Sequence, residues 1–494
     1  MRRMMQAVAV TFVAAVLMTG YVFTTTQAQD DMNAVEVRMM TFNIWVGGEL
    51  VDFGKVIEAI QLANADIVGL QEPGGNTRRI AEALGLHVSE RMHIVSRFPL
   101  IDPPEGNGIY IYAQLRPGQV IALSNVHLPS DPYGPYLVRD GEPLESVLAN
   151  EAETRMPALQ PFLDVLPGVV EAGYPVLFTG DFNTPSHLDW TEAMVGVVDH
   201  ILYPVTYPVT LALEEVGFVD TYRAAHPDPT QHIGMTWTPG YPVPRLRENE
   251  VVDRIDYVFA AGNVEVLDSQ IVGEVGGQDV DIAVDPYPSD HRGVVSTVRV
   301  TPAEPPLFVA VVDRVMTMGD DIVVRYHAPN GEATDRIVIV SAGGTVAEDS
   351  LMSLPPMEAD FFGAVTFGSA TLTAGEYAAV LVDGAGEELS RSQFWVLAPD
   401  AVPTIRTTQP MFTADEAIEV EWENAPDNRY DWVGIYSAGE SDLYNYQAFL
   451  YTEQRSSGSL TFEDHGLPAG EYEVRLMRDD WYVVLASATF TVGE

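Results

Sequence analysis

Between Asn43 and His291 the chain spaces out carboxylates, imidazoles and amides that together could hydrolyse a phosphate ester. The pieces are Thr41-Phe42-Asn43, Leu70-Gln71-Glu72, Asn125-Val126-His127-Leu128, Gly180-Asp181-Phe182-Asn183, Arg254-Ile255-Asp256-Tyr257 and Ser289-Asp290-His291. That chemistry needs a hard cation on oxygen ligands, a proton-transfer pair and donors for the phosphoryl oxygens. Glu72 follows an apolar run and precedes Pro73-Gly74-Gly75, where its carboxylate can hold Mg²⁺, Mn²⁺ or Ca²⁺; alone it would read as an ordinary loop glutamate. Asn43 offers an amide oxygen to the same ion; alone it would read as a turn cap. Gly180 lets the backbone turn sharply, and Asp181 and Asn183, two apart in an extended segment, face the same side. The carboxylate can then move a proton while the amide grips a phosphoryl oxygen, the competing structural role being an Asx turn. Asp256 and His291 suggest a carboxylate–imidazole pair, with Asp290 directed elsewhere, toward the metal. His127, polar in a buried-looking run, is either a satisfied core histidine or a phosphate donor.

These side chains need strand ends to carry them. From about residue 35 to 300, strand-like and helix-like runs alternate, which predicts an α/β domain with sheets inside helices. Residues 37–44, 66–70, 176–179, 252–259 and 294–300 read as strands, and 109–115 and 120–126 as antiparallel neighbours joined by Arg116-Pro117-Gly118-Gln119. A helix over 151–166 is expected to be interrupted near Pro157 and Pro161. The segment Asp131-Pro132-Tyr133-Gly134-Pro135-Tyr136, with Arg139 beyond it, reads as a substrate loop in which Tyr133, Tyr136 and Arg139 would bind, or as a surface Ω-loop.

At residues 302–306 helical spacing gives way to short β-rich runs, and an internal repeat begins. The run Asp335-Arg336-Ile337-Val338-Ile339-Val340-Ser341-Ala342-Gly343 matches Asp431-Trp432-Val433-Gly434-Ile435-Tyr436-Ser437-Ala438-Gly439, and Ala374-Gly375-Glu376-Tyr377 matches Ala469-Gly470-Glu471-Tyr472. Two all-β sandwich modules, 304–398 and 402–494, follow a domain over 35–301. The aromatic cluster Trp432, Tyr436, Tyr444, Tyr446 and Phe449 reads as sandwich core, a surface for a partner or sugar being the alternative.

Composition narrows the function. The formal net charge is −45 over 494 residues, and lysine occurs only at Lys55. So acidic a surface repels polyphosphate backbones unless a basic groove intervenes, and no Lys/Arg run supplies one, so nucleic acid is a disfavoured substrate. The absence of cysteine removes disulfides, zinc–thiolate sites, cysteine nucleophiles and a lipoprotein anchor. Arg2-Arg3, an apolar stretch over 7–23 and small residues up to Ala28 read as a signal peptide over 1–28, hence a secreted or periplasmic protein; an uncleaved membrane anchor is the rival.

The motif series resembles the endonuclease/exonuclease/phosphatase superfamily, which includes deoxyribonuclease I, exonuclease III, neutral sphingomyelinases and inositol polyphosphate 5-phosphatases. The resemblance covers residues 35–300 and implies a four-layer α/β sandwich, deoxyribonuclease I-like, with a divalent metal, usually Mg²⁺. By motif it implies Asn43 and Glu72 as metal ligands with Asp290 nearby, and His127 on the phosphate. Asp181 becomes the general acid/base, Asn183 its phosphate-orienting partner, and Asp256 the residue that orients His291. The Cys-Asp-Arg motif of the 5-phosphatases reads Val252-Asp253-Arg254 here, so that specificity is not assigned. Residues 431–449 are similar to the SKICH β-sandwich. The expected function is a secreted, metal-dependent phosphoesterase acting on small or lipid-linked substrates, membrane lipid included. An extracellular nuclease and a non-catalytic surface or adhesion protein are the alternatives.

Overall fold

Along the strand Val35–Asn43, Val37 and Met39 point into one apolar cluster and Met40 and Phe42 into another. A strand buried on both faces reads as a nearly continuous apolar run, as this one does. In the computed structural model, which describes residues 33–329, 331–355, 362–463, 465–479 and 482–493, it lies inside a seven-stranded sheet. It runs parallel to Ile67–Gln71 and antiparallel to Gly293–Val300. The signal segment expected over 1–28 lies outside the described residues.

A six-stranded sheet places Gln119–His127, Val176–Asp181 and Asp256–Ala261 side by side. The two sheets pack face to face through Val37, Met39, Ile67 and Val294 on one side and Leu123, Leu177 and Val258 on the other. Helices Phe53–Ala63 and Thr77–Leu84 cover the outer face of the first sheet. Leu144–Glu171 and Pro208–Glu215 cover the second. This is the four-layer α/β sandwich the sequence predicts. Phe53–Ala63 shows the local logic: Asp52 caps it by accepting from the Gly54 N–H, Val56, Ala59, Ile60 and Ala63 form its buried stripe, and Asn64 ends it at φ 47°.

Two expectations need correction. Pro157 and Pro161 do not interrupt their helix, which runs unbroken over Leu144–Glu171. Both prolines are exposed, while Val147, Glu151, Arg155, Leu159, Phe162 and Leu166 form a buried face that packs regardless. Tertiary packing outweighs the lost hydrogen bonds, whose carbonyls face water. The segment after His127 is not an open loop either: Gly134–Arg139 is a short helix leading into the long one.

Beyond residue 304 the described residues are β strands apart from the short helix Val346–Asp349 and the 3-10 turn Ser369–Thr371. A three- and a five-stranded sheet enclose one core, and a second pair of sheets with the same strand connectivity encloses another. The repeat is visible in detail. Arg336–Ser341 and Trp432–Ser437 hold equivalent central positions, and the stacked pairs Tyr377–Phe394 and Tyr472–Phe490 both have ring centroids 5.7 Å apart at 27°. The aromatic cluster is only partly core: Trp432 and Tyr436 are buried, but Tyr444 is 71% exposed and Phe449 42%. Their segment flanks the edge strand Ala448–Tyr451, which has one neighbour and turns those rings outward.

Candidate active site

Strand parity explains how the motif residues meet. Residues 37, 39, 41 and 43 of the first strand face the second sheet, and residues 123, 125 and 127, 177, 179 and 181, and 256, 258 and 260 of that sheet face back toward the first. Apolar side chains fill the middle of this interlayer, and polar ones take over at one end. Gln71 Nε2 donates to Asn125 Oδ1 (2.7 Å), Thr179 Oγ1 to the same oxygen (2.9 Å), and Asn125 Nδ2 to the carbonyls of Leu70 (2.9 Å) and Met92 (3.1 Å). This buried, paired floor fixes the spacing of the sheets beneath the site. Gly69 makes the approach possible, since a Cβ there would lie 2.0 Å from Thr179 Oγ1.

Above the floor stand Asp181, Asp256 and His291, whose facing ligand atoms all lie within 4.8 Å of one another. His291 Nδ1 is 3.0 Å from Asp256 Oδ2 and its Nε2 is 3.6 Å from Asp181 Oδ2. His127 Nε2 is 3.5 Å from the same Asp181 oxygen. Thr236 holds Asp256 from behind, its hydroxyl accepting the N–H groups of Ile255 and Asp256. Ser289 Oγ donates to the Asn43 carbonyl and accepts the His291 N–H, tying the last motif to the first. Burial works to lower the His291 pKa, but the Asp256 and Asp181 carboxylates outweigh it and push it up to about 10. Burial also raises Asp256.

Glu72 occupies a left-handed conformation at φ 53°, which a non-glycine residue adopts only when neighbours enforce it. They do: Glu72 Oε2 accepts the Val46 N–H at 2.9 Å and its carbonyl accepts the Gly47 N–H at 2.8 Å. Asp290 is buried, its Oδ1 has no hydrogen-bond partner among the described residues, and burial with the nearby Glu72 charge pushes its pKa up to about 7. Two carboxyl groups in this relation, one with an orphaned oxygen, form an all-oxygen donor set suited to a hard divalent cation.

Several side chains sit otherwise than their sequence suggests. Asn43 turns its Nδ2, not its oxygen, toward Glu72 Oε1 (3.3 Å) and Asp181 Oδ2 (3.0 Å), while its Oδ1 accepts from the Trp45 N–H. Two facing carboxylates favour the donor end of the amide. Gly180 is not a turn: it lies within the strand, where a Cβ would come 2.6 Å from Val126. The turn is at Asn183 (φ 50°), whose N–H donates to Asp181 Oδ1 in an Asx turn, so these two residues are not on one extended segment. Asn183 Nδ2 donates to the Leu128 carbonyl. Tyr133 is buried, its hydroxyl donating to Asp253 (3.2 Å) and its ring packed on Trp237 at 5.3 Å; it supports the wall behind His291 instead of offering a contact surface. Tyr136 donates to Glu250, and Arg139 pairs with Asp140 and lies over the Tyr136 ring at 4.4 Å.

Sequence reasoning missed the second β module altogether as a neighbour of this site. Arg429 Nη1 donates to the Asn125 carbonyl (3.0 Å), just past the point where the pairing of Ile111–Arg116 with Gln119–His127 stops. A Cβ at Gly75 would meet the Arg478 guanidinium at 2.8 Å, three residues beyond Glu72. The Tyr444 phenol is raised by burial and by the Glu72 carboxylate. Nothing local in the sequence marks these contacts.

An uncharacterised Caenorhabditis elegans protein, F14F9.5, is 33% identical over 293 residues, covering 52% of this chain and 90% of the worm protein. Among solved structures, an endonuclease/exonuclease/phosphatase from Beutenbergia cavernae is 18% identical with a TM-score of 0.35, covering 73% of this chain and 99% of its own. An AP endonuclease from Archaeoglobus fulgidus is 19% identical with a TM-score of 0.35, covering 53% and 98% respectively. The model of the endonuclease/exonuclease/phosphatase family matches residues 40–291, half of the chain and every motif residue from Thr41 to His291, and the chain belongs to that family.

Proposed function

We propose that this family member is a secreted, divalent-metal-dependent phosphoesterase hydrolysing small or lipid-linked phosphate esters. The observation that carries the reading is the convergence of Asp181, Asp256 and His291 within 4.8 Å, beside the Glu72–Asp290 carboxyl pair. Glu72 and Asp290 would hold the cation, with Asn43 beside them; Mg²⁺ suits an all-oxygen set, and Mn²⁺ or Ca²⁺ would serve the same donors. When bound, such an ion supplies Lewis-acid polarisation of a phosphoryl oxygen. Asp256 fixes the His291 ring so that Nε2 faces the site. Asp181 and His291 divide the proton transfers, one activating the attacking water and the other serving the leaving oxygen. His127 and Asn183 flank Asp181 and would stabilise equatorial charge. Trp237, stiffened by Tyr133 and Tyr136, walls the His291 side.

The net charge of −45 favours small or lipid-borne esters over duplex DNA. The N-terminal Arg2-Arg3 and apolar 7–23 support export.

A direct assay uses bis-p-nitrophenyl phosphate, p-nitrophenyl phosphate, sphingomyelin and plasmid DNA, with and without EDTA. Turnover of at least one small or lipid substrate that EDTA abolishes is expected, with little plasmid cleavage. Turnover indifferent to EDTA, or none on any substrate, would sink the reading, and fast plasmid cleavage would replace it with a nuclease. His291→Ala and Asp181→Asn should each cut the rate by about 10²-fold or more without unfolding the chain.

A further inference from the structure

In a chain with 71 acidic and 26 basic residues, one cavity reverses the balance. It lies where all three modules meet and has a volume of about 180 Å³. Arg78 and Arg91 reach it from the catalytic half, Arg314 and Arg325 from the first β module and Arg478 from the second. Those five arginines face four carboxylates.

The pairing is uneven. Arg78 pairs with Glu90 (2.7 Å), Arg91 with Asp102 (2.7 Å), and Arg314 approaches Asp427 (3.2 Å). Arg325 and Arg478 form no ion pair among the described residues. The Nε atoms of Arg325 and Arg478 are buried with no hydrogen-bond partner among the described residues, whereas Arg314 Nε lies 3.2 Å from Asp427 Oδ2. Buried guanidinium donors are normally satisfied, so two unpaired ones from different modules at one cavity point to a missing acceptor. Burial and the Arg325 charge also hold the nearby His87 below its ordinary pKa, as expected beside uncompensated positive charge.

We propose that this junction binds a small phosphate-bearing anion, gripped by Arg325 and Arg478 with the Asp427-paired Arg314 beside them, and that the bound anion ties the three modules together. Guanidinium groups converge from different modules, which suits a tetrahedral oxyanion presenting oxygens in several directions better than a planar carboxylate. The volume admits a phosphate with a few further atoms and falls below the ~300 Å³ at which pockets for larger organic ligands begin. None of the catalytic cluster Asp181, Asp256 and His291 lines the cavity, so this is a second site.

The test is calorimetric titration of the full chain with inorganic phosphate in EDTA, alongside thermal denaturation. The wild type should bind one phosphate in this way and its melting midpoint should rise with phosphate concentration. Arg325→Met and Arg478→Met should each weaken that binding about tenfold or more and abolish the midpoint rise. Arg325→Lys and Arg478→Lys, which keep the charge but lose the fork, serve if the methionine variants fail to fold and should give intermediate losses. Glycerol phosphate and vesicles of phosphatidylcholine containing phosphatidic acid form two further arms; binding to either, lost in the variants, supports the site and identifies a soluble or a lipid source. Phosphate binding unchanged in folded Met or Lys variants, no binding by the wild type at millimolar phosphate, or equal binding of succinate would overturn the proposal.

Discussion

The two β modules are copies of one fold, yet they join the catalytic half by opposite chemistry. The first shares an apolar core with it: along Phe308–Val311, Val309 and Val311 point into the module's own sandwich, while Phe308 and Ala310 point into the cluster containing Tyr110, Tyr112 and Val120. The second docks through polar groups. His93 Nε2 meets Asp479 at 2.5 Å, Arg91 donates to Gln454 at 2.6 Å, and Arg429 caps the Asn125 carbonyl. The repeat itself shows the divergence. Asp335 of the first copy accepts the N–H of its own turn at Glu332, whereas its counterpart Asp431 accepts from Asn428 and also from the Asp479 N–H, which positions the His93 partner. One seam is a hydrophobic join; the other is a set of buried polar and charged groups. The second seam is also the one that touches the Glu72 loop.

The largest effect is expected from breaking the apolar seam. Phe308 is fully buried, and Phe308→Ala should cost about 3–5 kcal/mol, read by denaturant unfolding. A loss under about 1 kcal/mol would mean that the two cores are not continuous in solution. Next comes the charged seam. Asp479→Ala takes the carboxylate away from His93 Nε2, and removing one partner of a buried pair costs up to about 3–5 kcal/mol. Its signature differs: hydrogen exchange should accelerate across residues 402–494 and around His93, leaving the Phe308 seam protected. Uniform loosening of all three modules would erase the distinction.

The asymmetry between the seams also marks what a sequence can disclose. The site strands were legible because each is an apolar run ending in a chemically conspicuous residue, such as Asn43, Glu72, His127 or Asp181. The Asp256–His291 hydrogen bond followed from residue type and order alone. Asn183 was misplaced because the choice between an extended segment and an Asx turn depends on which acceptors are near, and Leu128 supplies one from another strand. Pro157 and Pro161 misled because their exposure, set by what the opposite helix face packs on, is tertiary information. Arg429, Arg478 and Asp479 gave no local signal, since their partners stand roughly three to four hundred residues away in the chain and only docking gives them a role.

A smaller effect should appear with pH. Burial, with Asp479 adding, pushes the Asp431 pKa up to about 7 from 3.8, and burial does the same to Asp427 against the pull of Arg314. A carboxyl group raised on folding binds its proton more tightly in the folded chain, so its stabilisation is full below about pH 4 and is lost as pH climbs through 7. The Asn428 and Asp479 N–H groups bond to opposite oxygens of Asp431, so Asp431→Asn keeps an acceptor for one of them and cannot ionise. Its melting midpoint relative to wild type should therefore rise between pH 4 and 7 and level off above. A difference independent of pH would show that Asp431 stays ionised in the docked module. Phe308→Ala serves as the control, since its deficit should not vary with pH.

The smallest expected effect is the one closest to chemistry. Tyr444 is 71% exposed, packs on Tyr482 with ring centroids 4.1 Å apart and the rings tilted by 39°, and lies near enough to Glu72 to feel its charge. A paired aromatic surface at the rim of a phosphoesterase site can bind the alcohol portion of an ester without touching the reacting phosphorus, which raises affinity and leaves the chemical step alone. Tyr444→Ala should accordingly raise KM a few-fold for an ester with a bulky apolar or aromatic alcohol, leave kcat near wild type, and leave a methyl phosphate ester unaffected. A matching fall in kcat for both substrates would instead point to a displaced Glu72 loop, so that the charged seam acts on the catalytic residues themselves. Arg478→Met would then be expected to reproduce that fall, because its guanidinium is the group that lies against Gly75.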